Sequence, residues 1–345
     1  MIRRLRIATE AVTDPYGGIW THTRSIQKYS HHSIEEFPSR VTRFFLDHNS
    51  WLRQRFRQTA QLRGFDVIHS RSDPWYINLC HRYRTDRQKW VQSFHAMFHG
   101  EDYGKGLAPW QRDQNNAVLE VGRQADLRLS VSQWGHDMLL NTYGIETHVI
   151  VNGADLEACA KADADRFVGK YGLRNFVLFI GSVREVKNPA LFIQVAAHMP
   201  DLTFVMIGDR VDGTSLKEEY GIVSTANVRV LGRQSHEDTL DALAASRVYV
   251  MTSKHEGLPN SLLEAMGMGK NVVVPAHTGC LELVPTEEYG YLYDLRSLEE
   301  LILKVGNAYR DENTRGQNAR RRIEANFNWR ISAARLDRLY ESLYQ

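Results

Sequence analysis

Residues 248–276 read VYVMTSKHEGLPNSLLEAMGMGKNVVVPA. An apolar, β-rich run at 248–253 leads into a polar loop at 254–258, and residues 260–268 then show the apolar spacing of a helix with one buried face. A second β-rich run follows at 271–276. A strand, a helix and another strand in succession are the unit of a parallel sheet, so this stretch predicts an α/β protein.

The same alternation runs along the whole chain and predicts two sets of six strands. The first set is predicted at residues 4–9, 41–46, 65–70, 89–95, 127–132 and 148–152. The second set is predicted at residues 176–182, 203–208, 227–232, 248–253, 271–276 and 290–293. Helices are predicted between strands, among them Pro189–His198 and His236–Ala245.

A polar, alanine-rich stretch at 156–166 separates the two sets, and the alternation of strands and helices lapses there. We therefore predict two Rossmann-like, doubly wound α/β domains, at residues 1–155 and 156–327. Apolar residues recur at helical spacing over 329–344, which predicts a final helix in the segment 328–345.

Composition narrows the class of protein. The chain has 345 residues, of which 43% are hydrophobic and 24% are charged, as in globular proteins. No apolar run reaches the roughly 18 to 20 residues that span a bilayer. Three cysteines, Cys80, Cys159 and Cys280, lie far apart, so neither a disulfide framework nor a zinc cluster is expected. We expect a cytoplasmic protein.

The loop and helix start at 254–261 have the composition of an anion site. Pro259 is expected at the first helical position, where its missing N–H costs nothing, and Asn260 and Ser261 add polar groups to the first turn. The N–H groups and the dipole of such a helix start attract a diphosphate. Gly257 allows the backbone to approach a ligand closely.

Two carboxylates flank this helix start. Glu256 lies in the loop and Glu264 about one turn into the helix, so both face the carboxyl end of the sheet, where open α/β sheets bind ligands. Carboxylates accept charge-assisted hydrogen bonds from sugar hydroxyls. The alternative is a pair of unrelated, solvated glutamates, and the spacing by itself does not exclude it.

The segment around this pair resembles the Glu-x7-Glu motif of the family 4 retaining glycosyltransferases, which have the GT-B fold. Further resemblances to that family lie at Tyr16-Gly17-Gly18-Ile19 with His22, at residues 65–69, 93–95, 125–132 and 151–155, and at the glycine-containing loop 179–188. The likeness covers nearly the whole chain. It implies an acceptor-side domain at residues 1–155, a nucleotide-sugar domain at 156–327, and a last helix that returns to the first domain.

Site residues follow from the resemblance by position. It implies that Lys187 neutralises the donor diphosphate, that Glu264 holds the ribose hydroxyls and that Glu256 faces the transferred sugar. Ser182 stands where the family has an arginine, and Arg184 is expected to fill that role because a guanidinium binds phosphate oxygens bidentately. The donor-binding set expected in this domain is completed by Ser182, Gly257, Leu258, Pro259, Asn260 and Ser261.

In the first domain the resemblance implies that His95 lies by the transferred sugar. It also implies that Gly17 and Gly18 let their loop approach the phosphates and the acceptor. Besides Ser182, two further departures from the family pattern lie in the second domain, where Thr278 replaces the first residue of a glycine pair and Asn271 replaces a proline.

The expected function is retaining transfer of a hexosyl group from a nucleotide sugar, with a UDP-sugar favoured, to an acceptor hydroxyl. No cofactor or metal is expected: His95 and His99 lack a third ligand at suitable spacing, and Asp163 and Asp165 are interpreted as surface residues. The alternatives are a nucleotide-sugar epimerase of the same architecture and a non-catalytic sugar-nucleotide-binding protein. An oxidoreductase is disfavoured because neither half has Gly-x-Gly-x-x-Gly after its first strand.

The acceptor is expected to be a glycan, a lipid-linked sugar or a small molecule. Residues 1–110 carry 17 Lys and Arg against 10 Asp and Glu, which allows peripheral contact with an anionic inner membrane face. The basic stretch 51–57 is interpreted first as a helix packed on its sheet and second as a lipid contact. Nucleic acid is disfavoured, since no aromatic-basic motif demands it. Residues 97–111, with Tyr103 and Trp110, are expected to help select the acceptor.

Overall fold

The computed structural model describes residues 4–12, 17–38, 64–95, 97–100, 106–221 and 225–345. The chain divides into two compact units, Met1–Asn152 with Trp329–Gln345, and Gly153–Asn328. Across the described residues, no helix has both the length and the apolar character that a membrane crossing requires.

The first unit contains a parallel six-stranded sheet in the order β2-β1-β3-β4-β5-β6. Its strands are β1 (Arg6–Thr9), β2 (Ser33–Glu36), β3 (Val67–Ser70), β4 (Lys89–Phe94), β5 (Leu127–Ser130) and β6 (His148–Val149). Its α-helices are Gly18–Tyr29, Pro74–Tyr83, Pro109–Asn116, Gln133–Tyr143 and Trp329–Ser342. From β1 the sheet extends to β2 on one side and to β3 and its successors on the other, so the direction of winding changes between β1 and β3.

Local chemistry fixes the helix boundaries of this unit. Asp73 accepts a hydrogen bond from the backbone N–H of Trp75 at 3.0 Å, which starts the helix Pro74–Tyr83 with a proline in its first turn. Ser132 accepts in the same way from Gly135 at the start of Gln133–Tyr143. Each cap thus starts a helix a few residues after a strand, β3 in the first case and β5 in the second.

The last helix, Trp329–Ser342, belongs to the first unit. Its buried residues Trp329, Leu336 and Tyr340 form one apolar cluster with residues of the sheet and the first helix, namely Leu5, Ile7, Ile26, Val67, Val91, Leu127, Leu129 and Ile150. Asp337 on its inner face accepts hydrogen bonds from Ser30 Oγ at 2.5 Å and from the His31 backbone N–H at 3.0 Å. Apolar burial and this buried carboxylate together hold the helix on the unit that begins the chain.

The second unit contains another parallel six-stranded sheet, in the order β12-β11-β10-β7-β8-β9. Its strands are β7 (Val177–Ile180), β8 (Phe204–Ile207), β9 (Val228–Gly232), β10 (Val248–Val250), β11 (Asn271–Pro275) and β12 (Tyr291–Tyr293). Its α-helices are Leu156–Ala160, Ala164–Tyr171, Pro189–His198, Gly213–Tyr220, His236–Ala245, Asn260–Gly267, Thr278–Leu283, Leu298–Arg310 and Thr314–Asn326. The winding changes direction between β7 and β10.

The prediction of two doubly wound α/β domains is confirmed. All six strands predicted in the second half are present, with ends that differ by at most three residues. The strand Ser33–Glu36 was missed, while the strand predicted at 41–46 lies outside the described residues. The predicted lapse at 156–166 was wrong, because helices begin at Leu156 and at Ala164, each started by an aspartate side chain that accepts from the first turn.

Candidate functional site

Two loops of the second unit meet at the carboxyl edge of its sheet. One follows β7 at residues 181–188, and the other follows β10 at residues 251–259. Their strands are neighbours whose connections leave in opposite directions, the arrangement that opens a ligand crevice in doubly wound sheets. The backbone N–H of Lys254 donates to the carbonyl of Val186 at 2.7 Å, and Thr252 Oγ1 donates to the carbonyl of Lys187 at 3.0 Å. These hydrogen bonds hold the two loops together.

An ion pair joins a lysine of the first loop to a glutamate of the second. Lys187 Nζ lies 2.6 Å from Glu256 Oε1, with side-chain exposures of 30% and 11%. The partial burial reduces screening by water, so the pair is stronger than a fully solvated one. The structure thus brings together a lysine and a glutamate that the sequence singled out separately.

Ser182 and Arg184 lie on the same loop as Lys187. The backbone N–H of Arg184 donates to the carbonyl of Ser182 at 2.9 Å, and a short 3-10 turn, Glu185–Lys187, follows. Asn188 closes the turn in the left-handed region with φ 48°, and the helix Pro189–His198 starts there. Arg184 is exposed three residues before Lys187, so its guanidinium is accessible to a ligand at this edge.

The helix Asn260–Gly267 starts at the end of the second loop. Pro259 lies one residue before the helix, in extended conformation with φ −75° and ψ 119°, and not at the first helical position as predicted. Proline offers no side-chain oxygen, so it cannot cap the first turn as serine or aspartate would. Ser261 is positioned by Tyr249, whose hydroxyl lies 2.8 Å from Ser261 Oγ. The anion site that the sequence predicted at this helix start stays a prediction.

Glu264 has a partner that the sequence did not reveal. His236 Nε2 lies 2.7 Å from Glu264 Oε1, and Glu264 is only 8% exposed. Burial lowers the pKa of His236, but the hydrogen bond and charge of Glu264, with the charge of Asp155, outweigh burial and raise that pKa above its usual value. The sequence did not predict this contact, because His236 and Glu264 are 28 positions apart and a single histidine at a helix start does not indicate its partner.

Close backbone packing holds the loop that carries Glu256. A Cβ on Gly279 would lie 1.8 Å from the carbonyl oxygen of Gly257, so residue 279 has to be glycine. The preceding Thr278 has φ 46°, a conformation that favours glycine, which is the residue that the family resemblance implied at this position. Its Oγ1 accepts from the backbone N–H of Glu256 at 3.3 Å, a contact that glycine could not make.

The second departure from the family pattern, Asn271, also has a structural role. Its side chain is 1% exposed. Nδ2 donates to the carbonyl of Ala308 at 3.0 Å, and Oδ1 accepts from the backbone N–H of Gly316 at 3.3 Å. Asn271 therefore joins strand β11 to the helices Leu298–Arg310 and Thr314–Asn326.

The first unit has a buried charged cluster at its own change of winding. Glu10 follows β1 and Arg71 follows β3, and their side chains are 4% and 0% exposed. Arg71 Nε donates to Glu10 Oε1 at 3.3 Å, and Arg71 Nη2 donates to the Glu10 carbonyl at 3.0 Å. Burial raises the pKa of Glu10, while the charge of Arg71 opposes that rise. This pair was not predicted from the sequence.

Three histidines surround Arg71. The rings of His22 and His95 meet edge to face at 4.5 Å, and the two nitrogens of His69 lie 2.6 Å from a tyrosine hydroxyl (Tyr340) and 2.7 Å from a serine hydroxyl. Burial and the charge of Arg71 lower the pKa of His95 to about 3, and burial lowers those of His22 and His69 well below 6.5. All three are therefore neutral near pH 7. His95 Nε2 is buried, and the described residues provide it no hydrogen-bond partner.

Gly17 and Gly18 lie at the start of the helix Gly18–Tyr29. Gly17 has φ 87°, where other residues are strained, and its carbonyl accepts from the backbone N–H of Thr21 at 3.1 Å. Within the part of the chain that the structure describes, no atom lies within 4 Å of a Cβ added to Gly17, so the conformation and not crowding requires glycine here.

Two family models match the chain in succession. The one described as Glycosyltransferase Family 4 matches residues 14–158, and the one described as Glycosyl transferases group 1 matches residues 161–327. The chain belongs to the family 4 glycosyltransferases. The resemblance seen in the sequence is thereby confirmed.

This family 4 glycosyltransferase has curated relatives with named activities. It is 32% identical over 193 residues to the UDP-Gal:alpha-D-GlcNAc-diphosphoundecaprenol alpha-1,3-galactosyltransferase of Escherichia coli, covering 52% of this chain and 50% of that one. It is 24% identical over 280 residues to a GDP-mannose-dependent monoacylated alpha-(1-6)-phosphatidylinositol monomannoside mannosyltransferase of Corynebacterium glutamicum, covering 75% and 72% of the two chains. The chain thus spans about half the length of the Escherichia coli relative.

A solved structure shares the fold over the whole length of this family 4 glycosyltransferase. Anabaena HepE, in a complex with UDP-glucose, superposes with a TM-score of 0.78 at 19% identity, covering 98% of this chain and 100% of that one. At this identity the likeness establishes the GT-B fold alone.

The predicted site residues fall into one group in each unit. The second unit gathers Ser182, Arg184, Lys187, Glu256, Gly257, Leu258, Pro259, Asn260, Ser261 and Glu264 at the edge between β7 and β10. The first unit holds Gly17, Gly18 and His95. The residues that the sequence missed are Glu10, Arg71 and His236.

Of the remaining candidates, some lie within the described residues and others lie outside them. Trp110 is 58% exposed and meets the ring of Phe98 edge to face at 5.0 Å, whereas Tyr103 and the basic stretch 51–57 lie outside the described residues. Asp163 caps a helix by accepting from the backbone N–H of Asp165 at 2.8 Å. That contact agrees with its interpretation as a surface residue.

Proposed function

We propose that the chain transfers a hexosyl group from a nucleoside diphosphate sugar to an acceptor hydroxyl, with retention of configuration and without a metal ion. The observation that carries this proposal is the Lys187–Glu256 pair, 2.6 Å apart at the change of winding of the second sheet. A cation, an uncapped helix start and two carboxylates are the groups that complement a diphosphate flanked by two sugars.

The diphosphate is assigned to Lys187, Arg184 and the helix start at Asn260. An ammonium has three N–H donors, and one of those on Lys187 is engaged by Glu256, so two remain for phosphate oxygens. The exposed guanidinium of Arg184 supplies a planar pair of donors. Fixed positive groups of this kind stabilise the charge that grows on the leaving diphosphate.

The two sugars are assigned to the two glutamates. Glu264, in the second turn of the helix, is assigned to the ribose hydroxyls, and Glu256, in the loop before it, to the transferred sugar. Gly257 lets the main chain approach the donor between them, and Ser182, Leu258, Pro259, Asn260 and Ser261 complete the donor set.

The first unit is assigned to the acceptor side. A neutral His95, kept uncharged by burial and by Arg71, offers a hydrogen bond to a hydroxyl of the transferred sugar without adding positive charge. The loop of Gly17 and Gly18 is assigned to the phosphates and the acceptor.

The reaction step is a front-side displacement. The bond from the anomeric carbon to the phosphate oxygen breaks, and the acceptor oxygen bonds to the same carbon on the same face. The departing phosphate oxygen takes the acceptor's proton. The acceptor oxygen is itself the nucleophile, so the step needs no protein nucleophile, and Lys187 and Arg184 stabilise the product diphosphate.

Donor and acceptor classes are proposed from the named relatives. The Escherichia coli relative is named for UDP-Gal and a diphosphoundecaprenol-linked sugar, which favours a UDP-hexose and a lipid-linked or glycan acceptor. The Corynebacterium glutamicum relative is named for GDP-mannose and a phosphatidylinositol mannoside, which makes GDP-mannose the comparison donor. Together with the basic first part of the chain, these names support a cytoplasmic enzyme that contacts an anionic membrane face.

A donor screen tests this proposal. The purified chain is incubated with UDP-glucose, UDP-galactose, their N-acetylated analogues and GDP-mannose, and both thermal shift and nucleotide release are measured. We expect one nucleotide class to raise the melting temperature and to release nucleoside diphosphate faster when an acceptor is added. Conversion of a donor to its epimer without acceptor would overturn transfer in favour of epimerisation, and the absence of any shift or release would overturn the donor site.

A further inference from the structure

Each carboxylate of the proposed donor site has its own basic partner. Glu256 is paired with Lys187 at 2.6 Å, and Glu264 is paired with His236 at 2.7 Å. The first pair belongs to the proposed chemistry. The second pair is not used in that chemistry. Its carboxylate, Glu264, is nevertheless buried, with only 8% exposure.

His236 is the first residue of the helix His236–Ala245, which follows β9. Its neighbour Ser235 caps that helix by accepting from the backbone N–H of Asp238 at 3.0 Å. The cap fixes the first turn, and the turn carries the imidazole toward Glu264 on a different helix. The contact therefore joins two rigid elements and not two mobile loops.

The charged groups around His236 come from three directions. Glu264 approaches from the helix Asn260–Gly267, and Asp155 from the residue that caps the helix Leu156–Ala160. On its own helix the carboxylates are engaged elsewhere, because Arg166 contacts Glu237 and Asp241, and Lys170 contacts Asp238. Two carboxylates, Glu264 and Asp155, thus remain to act on His236.

We propose that His236 is a positioning residue for the donor ribose: it holds one oxygen of Glu264 and offsets its charge, so that the other oxygen accepts the ribose hydroxyls. This inference rests on the proposed function, since it deepens the role of Glu264 in the same site.

The physical reason has two parts. A carboxylate held by a hydrogen bond at one oxygen loses less freedom when its second oxygen binds a hydroxyl, so the pre-organised group binds more tightly. A bare carboxylate beside a diphosphate would also repel it, and the imidazolium behind Glu264 weakens that repulsion. The first effect needs only the Nε2–H donor, whereas the second needs the charge.

The two parts predict different variants. His236→Gln keeps an N–H donor near the position of Nε2 but has no charge, and His236→Ala removes both. His198→Ala is the matched control, because His198 is an exposed histidine of the same unit bonded to a main-chain carbonyl at 2.8 Å. Glu264→Gln tests whether the carboxylate itself contacts the ribose.

The experiment is calorimetric titration with UDP and with 2′-deoxy-UDP, and the readout is the ratio of their dissociation constants. The terminal phosphate titrates alike in both ligands, so the ratio isolates the ribose contact at each pH. We expect wild type and His198→Ala to prefer UDP by roughly tenfold, the worth of one charge-assisted hydrogen bond. The ratio should fall toward ~1 in Glu264→Gln and to about 2 or 3 in His236→Ala.

The pH dependence separates charge from position. Because the pKa of His236 is raised above its usual value, the imidazolium is present at pH 6 and is lost as the pH rises through the raised pKa. The wild-type ratio should therefore decline between pH 6 and pH 9, and the His236→Gln ratio should stay constant. A ratio in His236→Ala equal to wild type, with Glu264→Gln still reduced, would overturn the inference and leave the proposed function intact. Wild type that binds neither UDP nor GDP would overturn the proposed function itself.

Discussion

Replacing Lys187 with alanine should lower kcat/KM for glycosyl transfer by about a thousandfold while leaving the fold intact. The lysine makes a 2.6 Å ion pair with Glu256, whose side chain is only 11% exposed. Removing one preorganised donor from a site of developing charge costs about 2.7 to 4 kcal/mol, or ~10² to 10³ in rate. Leaving Glu256 without its cation adds repulsion toward the diphosphate, which places the expected loss at the upper end of that range.

The fold should tolerate this change because Lys187 is 30% exposed and the loop is held by main-chain contacts. A melting temperature within a few degrees of wild type corresponds to less than about 1 kcal/mol. Steady-state kinetics with the donor from the nucleotide-sugar screen, together with a thermal melt of the same sample, gives both quantities.

Lys254→Ala is the matched control. Lys254 lies on the adjoining loop with 32% exposure and pairs with Glu185 at 3.1 Å, so it resembles Lys187 in accessibility and in having a glutamate partner. We expect its kcat/KM to stay within about threefold of wild type, as for an exposed ion pair. Near-normal transfer by Lys187→Ala, or a larger loss in Lys254→Ala, would refute the assignment of Lys187 to the diphosphate.

Three further changes test the surroundings of the site. Gly279→Ala would place a Cβ 1.8 Å from the carbonyl oxygen of Gly257, so urea denaturation should show a loss of more than about 2 kcal/mol, together with weaker UDP binding; unchanged stability would contradict the packing. Asn271→Ala removes both partners of two buried main-chain groups and should cost about 2 to 3 kcal/mol, without a change in donor KM once folded. His95 has a pKa of about 3, so in wild type the unfolded chain gains a proton below pH 6.5 that the folded chain does not, and stability falls with pH. His95→Gln should lose about 2 kcal/mol less than wild type between pH 7 and pH 5, and an identical loss in both would show that His95 is protonated in the folded protein.

Most strands of the second sheet could be predicted because they are runs of apolar residues that are buried on both faces. The strand β11 is buried along its whole length, and runs of this kind between turn residues have few other interpretations. The strand Ser33–Glu36 could not be predicted in this way, since it has one apolar residue and all four residues are only half buried. Its pairing with β1 makes it a strand, and that pairing is a tertiary fact.

The site likewise contains residues that the sequence could identify and contacts that it could not. Glu256 and Glu264 lie in one contiguous segment with a helix start between them, so local patterns identify them. The Lys187–Glu256 contact spans 69 residues and the Glu10–Arg71 contact spans 61, and no local pattern predicts which charges meet. A buried pair is visible only after the strands that carry it have been placed side by side.

The helix boundaries show why one detail of the site differed. The pattern predicted Pro259 inside the helix, because proline is common at the first helical position. In the structure Pro259 is extended, with φ −75° and ψ 119°, and the helix begins one residue later, at Asn260. Local preference therefore predicted the position of the helix start to within one residue.

A crystal structure of the chain with UDP would show directly where the nucleotide binds. We expect the diphosphate within hydrogen-bond distance of Lys187 Nζ and of the first backbone N–H groups of Asn260–Gly267, with the ribose hydroxyls on Glu264. UDP bound elsewhere, for example in the groove of about 700 Å³ lined by His277, Tyr293 and Arg296, would contradict it.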